Sequence, residues 1–200
     1  MEYIILIIAL VFSIVFHELA HGLVADRLGD DTPRNAGRLT LNPIFHLDPV
    51  GSIILPLTLF LLNAGFIFGW AKPVPVNYLN FKNPKRDIAL VALAGPLANI
   101  LLATLLTLLL KLAIFLDFYV NKELVFSMIR LNIVLAFFNL LPIPPLDGSK
   151  IFLNFLPFSY QAFLENFGFF ILIFILILAP QLIFGIINNI FLLYLSIFGF

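Results

Sequence analysis

Several stretches of this chain are too apolar and too long for a water-soluble fold. Residues 3–25, 88–115 and 124–141 are uninterrupted or nearly so, and a helix needs about 20 such residues to cross a bilayer. Two more apolar runs cover residues 52–68 and 167–200, the second broken at Pro180-Gln181. No water reaches the hydrocarbon to satisfy a free N–H or C=O, so backbone at that depth must be helical or enclosed by protein. Only 11% of the residues are charged, against about 25% in a soluble domain. An all-α polytopic membrane protein follows. Its 24 Phe belong at lipid-facing and interhelical positions and need not mark a ligand. Net charge is zero, which gives no reason to expect nucleic acid, and the absence of Cys excludes disulfides, thiolate chemistry and Cys-bound metal.

Within the first run stands His17-Glu18-Leu19-Ala20-His21. The pattern H-E-x-x-H sets two imidazoles one helical turn apart on a single face, where both reach one zinc ion, with the Glu placed beside them as a general base. Five residues with three fixed positions also arise by chance. In a membrane helix, however, His and Glu are costly and are functional by default. The motif falls about 20 Å along the helix at roughly 1.5 Å per residue, inside the membrane but towards one face. Glu2 precedes the run and no Lys or Arg does, so the segment reads as a permanent helix and not a cleaved signal.

Two histidines leave room for a third protein ligand and one open position. The candidates are Asp147, His46, Asp48 and Asp117. Asp147 follows Pro142, Pro144 and Pro145, which forbid regular helix and leave broken backbone of the kind that lines a wet cavity. His46 lies in a polar, turn-rich segment, residues 26–50, either as a ligand or as a surface loop residue ahead of an Asp48-Pro49 turn. Residues 37–42 in that segment are expected to form a short strand. Trp70 and Tyr78, in a basic loop over residues 70–87, suit an interfacial belt. Arg130, inside the run 124–141, is expected to snorkel or to pair with an acid.

Three blocks in this order resemble the site-2 protease family of intramembrane zinc metalloproteases: His17-Glu18-Leu19-Ala20-His21-Gly22, Gly95-Pro96-Leu97-Ala98-Asn99, and Asn139-Leu140-Leu141-Pro142 through Leu146-Asp147-Gly148. The resemblance implies a three-helix catalytic core with one zinc ion held by His17, His21 and Asp147. It makes Glu18 the general base and puts Asn139 beside the site, holding substrate backbone or an oxyanion. It is to the minimal form of the family, a single domain over residues 1–200 with its core in 1–150 and accessory helices in 167–200. Asn99 is equally well read as interhelical hydrogen bonding.

Parity then constrains the topology. If His17 and His21, near the end of the first helix, share a metal with Asp147, after the helix over residues 124–141, those two helices run the same way. One crossing, residues 88–115, separates them, so residues 52–68 must enter and return, with Asn63-Ala64-Gly65 as the turn. Arg27, Arg34, Arg38, Lys72, Lys82, Lys85, Arg86 and Lys150 then share one side, opposite Lys111 and Lys122. The positive-inside rule puts that side in the cytoplasm of a multi-pass cell-membrane protein, with the N-terminus outside and the metal nearer the cytoplasmic face.

The expected activity is hydrolysis of a peptide bond in the transmembrane segment of a membrane-anchored protein, a single-pass regulator or a signal-peptide remnant. The bilayer is the other expected partner. A serine protease would need a His in a later helix, and an aspartyl protease a second facing membrane aspartate. A metal-ion transporter with the same His/His/Asp site is the alternative, but it has no need of Glu18 and usually shows paired halves.

Overall fold

In the computed structural model, which describes residues 2–63, 69–153 and 155–200, the chain is helical from Glu2 onward. Helix α1 (Glu2–Arg27) stops where Gly29 takes a φ of +107° and the Asp30 N–H bonds back to the Ala25 carbonyl at 3.0 Å. That six-to-one closure satisfies carbonyls that the helix end would otherwise leave free. After the short α2 (Thr32–Asn35) come a π-helical turn (Pro49–Ile54) and α3 (Leu55–Leu61). The bundle is completed by α4 (Pro84–Phe115), α5 (Lys122–Asn139), the short α6 (Asp147–Leu153), α7 (Phe158–Leu178) and α8 (Pro180–Ile197).

By length and composition α1, α4, α7 and α8 can cross a membrane. The chain is thus an all-α, multi-pass membrane protein. Helix α5 carries Lys122, Glu123 and Arg130, yet it runs beside α1 for its full length. Asn121, at its start, donates to the Glu2 carboxylate at 2.9 Å, and the residues just past its end meet His17 and His21. The start of α5 thus lies at the start of α1 and its far end at residues 17–21, so the two are parallel. Val91 and Gly95, in the first half of α4, lie against His21 and His17, so α4 runs antiparallel between them.

The parity condition is met. The Trp70 N–H donates to the Gly51 carbonyl at 3.1 Å and the Ser52 hydroxyl to the Trp70 carbonyl at 2.9 Å. Residues 51–52 and 70 are thus side by side, so the apolar segment between them leaves and comes back to one level. Leu62 and Asn63 form its visible turn, with Asn63 at a φ of +48°, a conformation Asn tolerates. The remainder of the expected turn, Ala64-Gly65, lies outside the described residues.

Packing on the far side of the bundle is apolar. Ala103 and Leu110 of α4, Ile129 and Ile133 of α5 and Phe191 of α8 form one buried cluster. A hydrogen bond between the Thr107 and Tyr194 hydroxyls, 2.8 Å, ties α8 to α4. Helix α7 instead serves the other side: Gly168 lets its backbone approach Pro144, where a Cβ would come within 2.5 Å, and Leu172 is buried.

Two expectations are corrected, and two more residues gain partners. Residues 37–42 are irregular, because their backbone groups find no partner strand: the Gly37 and Arg38 N–H groups close on the Arg34 and Pro33 carbonyls, and His46 Nε2 donates to the Thr40 carbonyl at 2.9 Å. The C-terminal helices begin at Phe158 and not at 167, since the polar residues of that turn face outward and leave the helix uninterrupted. Trp70 packs its ring on Gly51, where a Cβ would be 2.3 Å from the indole nitrogen. Arg130 donates to Asn188 at 3.3 Å and lies over the Phe191 ring, and among the described residues no carboxylate pairs with it.

The loops on the motif's side are held by one carboxylate. Asp30, fully buried, accepts from the Thr32 N–H and hydroxyl, the Asn77 N–H at 2.8 Å and the Asn80 amide at 2.8 Å. Burial pushes its pKa up, but these donors outweigh burial and hold it below the ordinary carboxylate value. A depressed folded pKa gives stability that is present above the unfolded value, near 3.9, and is lost as pH falls through the folded one. Asp30→Ala strands several donors and should cost about 2–4 kcal/mol at neutral pH. Denaturant unfolding in detergent should show this deficit shrinking under acid conditions.

Candidate metal centre

Helix α1 brings His17 and His21 to one face, 6% and 7% exposed. Asp147 arrives from the other end of the chain because α5 stops at Asn139, the prolines hold residues 140–146 out of helix, and α6 restarts at Asp147. Gly148 makes the junction possible: a Cβ there would lie 2.1 Å from the Leu140 carbonyl oxygen. Oδ2 of Asp147 stands 3.0 Å from His17 Nε2 and 3.0 Å from His21 Nε2. Three potential ligand atoms from positions 17, 21 and 147 therefore lie within 4.8 Å of one another.

The proton positions follow from the groups behind the rings. His21 Nδ1 is 2.6 Å from the Val91 carbonyl, which can only accept, so Nδ1 carries the hydrogen. His17 Nδ1 is 2.6 Å from Asn99 Oδ1. The Asn99 amide nitrogen donates to the Ser13 carbonyl at 3.2 Å and to Asn132 Oδ1 at 3.0 Å, which fixes the amide orientation and makes His17 Nδ1 the donor too. In the neutral rings both Nε2 atoms are then bare lone pairs, aimed at a carboxylate oxygen. Such an arrangement is repulsive unless a cation lies among the three. It is the tautomer and donor set of a zinc site with two His and one carboxylate.

The other Asp147 oxygen, Oδ1, accepts from Lys150 Nζ at 3.0 Å, three residues on in α6. One oxygen is held by the chain and the other is left for the metal. Gly95 of α4 faces the rings, and a Cβ there would lie 2.4 Å from His21 Nε2 and 2.6 Å from His17 Nε2. Asn99 is therefore both an interhelical bond and a part of the site, since the same amide orients His17.

Glu18 accepts from the Val74 N–H at 2.9 Å. It shares with His17, His21, Asp147 and Asn139 a cavity of about 540 Å³, walled by Ile14, Val91, Phe138 and Leu172. Asn139 spends one amide hydrogen on the Leu135 carbonyl of its own helix, 2.9 Å, and has the rest of its amide for the cavity. The remaining ligand candidates are elsewhere. His46 is buried against Thr40, Asp48 caps the π-helical turn through the Val50 and Gly51 N–H groups, and Asp117 sits beyond the far end of α4.

Sequence reading missed Asn132, Lys150 and Val74. A signal existed for the first two. Asn132 lies seven residues before Asn139, two turns along one face of α5, and Lys150 lies at i+3 from Asp147. Val74 acts through its backbone and left no side-chain signal.

Comparison with known proteins gives a consistent picture. Residues 117–179 match the profile of "Peptidase family M50". The chain is 42% identical over 195 residues to "Putative zinc metalloprotease YwhC" of Bacillus subtilis (strain 168), covering 92% of this chain and 85% of the relative. It is 34% identical over 151 residues to "Putative zinc metalloprotease Rip2" of Mycolicibacterium smegmatis, and 33% over 172 residues to Rip2 of Mycobacterium tuberculosis (strain ATCC 25618 / H37Rv). Those matches cover 73% and 85% of this chain, and the chain spans 55% and 65% of the two Rip2 proteins. No solved structure matches.

Competition with a chromogenic chelator measures how far the groups behind the rings matter. Asn99→Ala, which frees the His17 tautomer, should weaken zinc binding about 10–100-fold. Gly95→Ala, which drives a methyl group between the rings, should lose it altogether.

Proposed function

The chain belongs to peptidase family M50, the site-2 protease family of zinc metalloproteases, and from that premise we propose that it cuts a peptide bond within or near a transmembrane segment. The observation that carries this reading is the shared cavity: two deprotonated Nε2 atoms, Asp147 and Glu18 meet between membrane-length helices. A soluble peptide would have to leave water to reach them, whereas a helix already in the bilayer approaches sideways.

His17, His21 and Asp147 would hold the zinc ion, one through each Nε2 and one through Oδ2. When bound, zinc supplies a Lewis acid that polarises a carbonyl and makes water acidic at neutral pH. Glu18 takes the proton from water and hands it to the leaving amine. One Glu18 oxygen is fixed by the Val74 N–H, which leaves the other to carry that proton. The Asn139 amide, with a free acceptor and a second hydrogen, holds the backbone of the substrate beside the metal. The substrate helix unwinds locally, since its own hydrogen bonds protect its amides, and lies extended along residues 69–76, which wall the cavity. The apolar lining favours large hydrophobic side chains next to the cut.

The occupant is a membrane-anchored protein, such as a single-pass regulator or a signal-peptide remnant, so the activity belongs to regulated intramembrane proteolysis. The basic loops put the metal nearer the cytoplasm and the N-terminus outside.

Glu18→Gln separates binding from chemistry. Zinc content should stay at the wild-type level, because neither imidazole nor Asp147 is touched. Cleavage of a fluorogenic transmembrane peptide in proteoliposomes should fall by about 10²–10⁴-fold. Turnover at the wild-type rate would sink the protease reading.

A further inference from the structure

Arg38 is 6% exposed, and among the described residues no carboxylate pairs with it. A buried guanidinium without a counter-ion is costly, so its remaining contacts have to explain its place. Its terminal nitrogen donates to the Lys72 carbonyl at 2.7 Å and to the Pro73 carbonyl at 3.3 Å, while Nε has no partner. The whole side chain is given to two successive backbone oxygens.

Those oxygens belong to the strap formed by residues 69–76, which is free of helix and walls the cavity. Three of its neighbours secure it at other points. Its Trp70 N–H goes to the Gly51 carbonyl, its Lys72 N–H to the His46 carbonyl at 2.9 Å, and the following Asn77 N–H to Asp30. Pro73 and Pro75 have no N–H, which leaves the Val74 N–H as the lone backbone donor of that stretch, and it goes to Glu18. Arg38 thus grips the two carbonyls immediately before this donor.

Gly22 shows that Arg38 and the strap are seated on the motif helix as one unit. A Cβ at Gly22 would lie 2.7 Å from Leu39 Cδ2 and 3.1 Å from Val74 Cγ1. The residue after Arg38 and the residue after Pro73 therefore both rest on bare α1 backbone, next to His21 in sequence.

We propose that Arg38 is a positioning residue for Glu18: by tying down the Lys72 and Pro73 carbonyls it sets the Val74 N–H on the Glu18 carboxylate and so aims the other oxygen at the reacting water. The proposal rests on Glu18 being the general base. Arg38 itself touches neither metal nor substrate. The two coplanar hydrogens of that one terminal nitrogen suit adjacent carbonyls, and the rigid guanidinium holds them in place as the freely rotating ammonium of Lys does not.

The test uses the full chain in lipid nanodiscs, with Arg38→Gln and Arg38→Lys. Hydrogen exchange at Val74, read by mass spectrometry on the peptide that contains it, reports the tie directly. In Arg38→Gln it should quicken by about tenfold or more, and kcat on the transmembrane peptide should fall by about tenfold, as a misaimed group does. KM and chelator-measured zinc affinity should hold at wild-type values, which a general loosening of the fold would not allow. Arg38→Lys should recover part of both losses, and it carries the test alone if Arg38→Gln does not fold. Wild-type Val74 protection in the variants, or wild-type kcat with protection lost, overturns the proposal. Exchange needs no turnover, so an inactive wild-type protein would sink the protease reading while Val74 still decides whether Arg38 holds the strap.

Discussion

Two imidazole lone pairs and a carboxylate oxygen, all three residues buried, point at one another, and the fold is arranged so that they must. Each repels the others unless a cation lies between them. Burial sharpens the conflict, because the low dielectric that strengthens attraction to a metal also strengthens repulsion without one. The elements that deliver these atoms are fixed by that need. Helices α1 and α5 have to be parallel so that residues 17 and 147 finish at one level, α4 has to return between them, and the apolar segment after residue 51 has to come back to Trp70.

The groups that hold the rings also hold the helices together. In lipid, apolar side chains gain little by leaving one apolar neighbour for another, so helix association depends on close packing and interhelical hydrogen bonds. The chain from His17 through Asn99 to Asn132 links α1, α4 and α5 in two consecutive hydrogen bonds. The bond from His21 to the Val91 carbonyl adds a second tie between α1 and α4. A choice between catalytic support and interhelical glue is therefore a false one for Asn99. Fixing the tautomer and fixing the helix crossing are done by one amide.

How much of this could be seen in the sequence depended on whether the signal was carried by side chains near in sequence or by backbone far apart. The apolar runs and the H-E-x-x-H spacing are local, and they gave the membrane helices and the imidazole pair. The return of residues 52–68 was legible through parity and charge, both global sums that tolerate local error. The expected strand over residues 37–42 failed because its backbone closes on the carbonyls of α2 and on the His46 ring, partners in turns and loops that periodicity cannot place. Arg130 is met by an Asn and an aromatic face on α8, contacts that nothing in the spacing of residue 130 announces. The role of the Val74 N–H had no side-chain trace at all.

Proline explains how irregular backbone can exist at the site. Two non-helical segments line the cavity, residues 69–76 and residues 140–146, and they carry Pro73 and Pro75, and Pro142, Pro144 and Pro145. Non-helical backbone near hydrocarbon is penalised chiefly for donors and acceptors that find no partner. A proline removes the donor and forbids helix in one substitution. The donors that remain are spent individually: Val74 on Glu18, Trp70 on the Gly51 carbonyl, Lys72 on the His46 carbonyl and Leu146 on the Ile143 carbonyl at 3.0 Å. Carbonyls tolerate exposure to a wet cavity better than amides tolerate burial, since each has two lone pairs and water can serve either. A segment rich in proline thus presents acceptors to the cavity while leaving few orphan donors, and it holds its extended shape without a partner strand. The same composition that keeps this backbone out of helix also leaves Val74 as the one N–H donor between Pro73 and Pro75, and that donor is the one that meets Glu18.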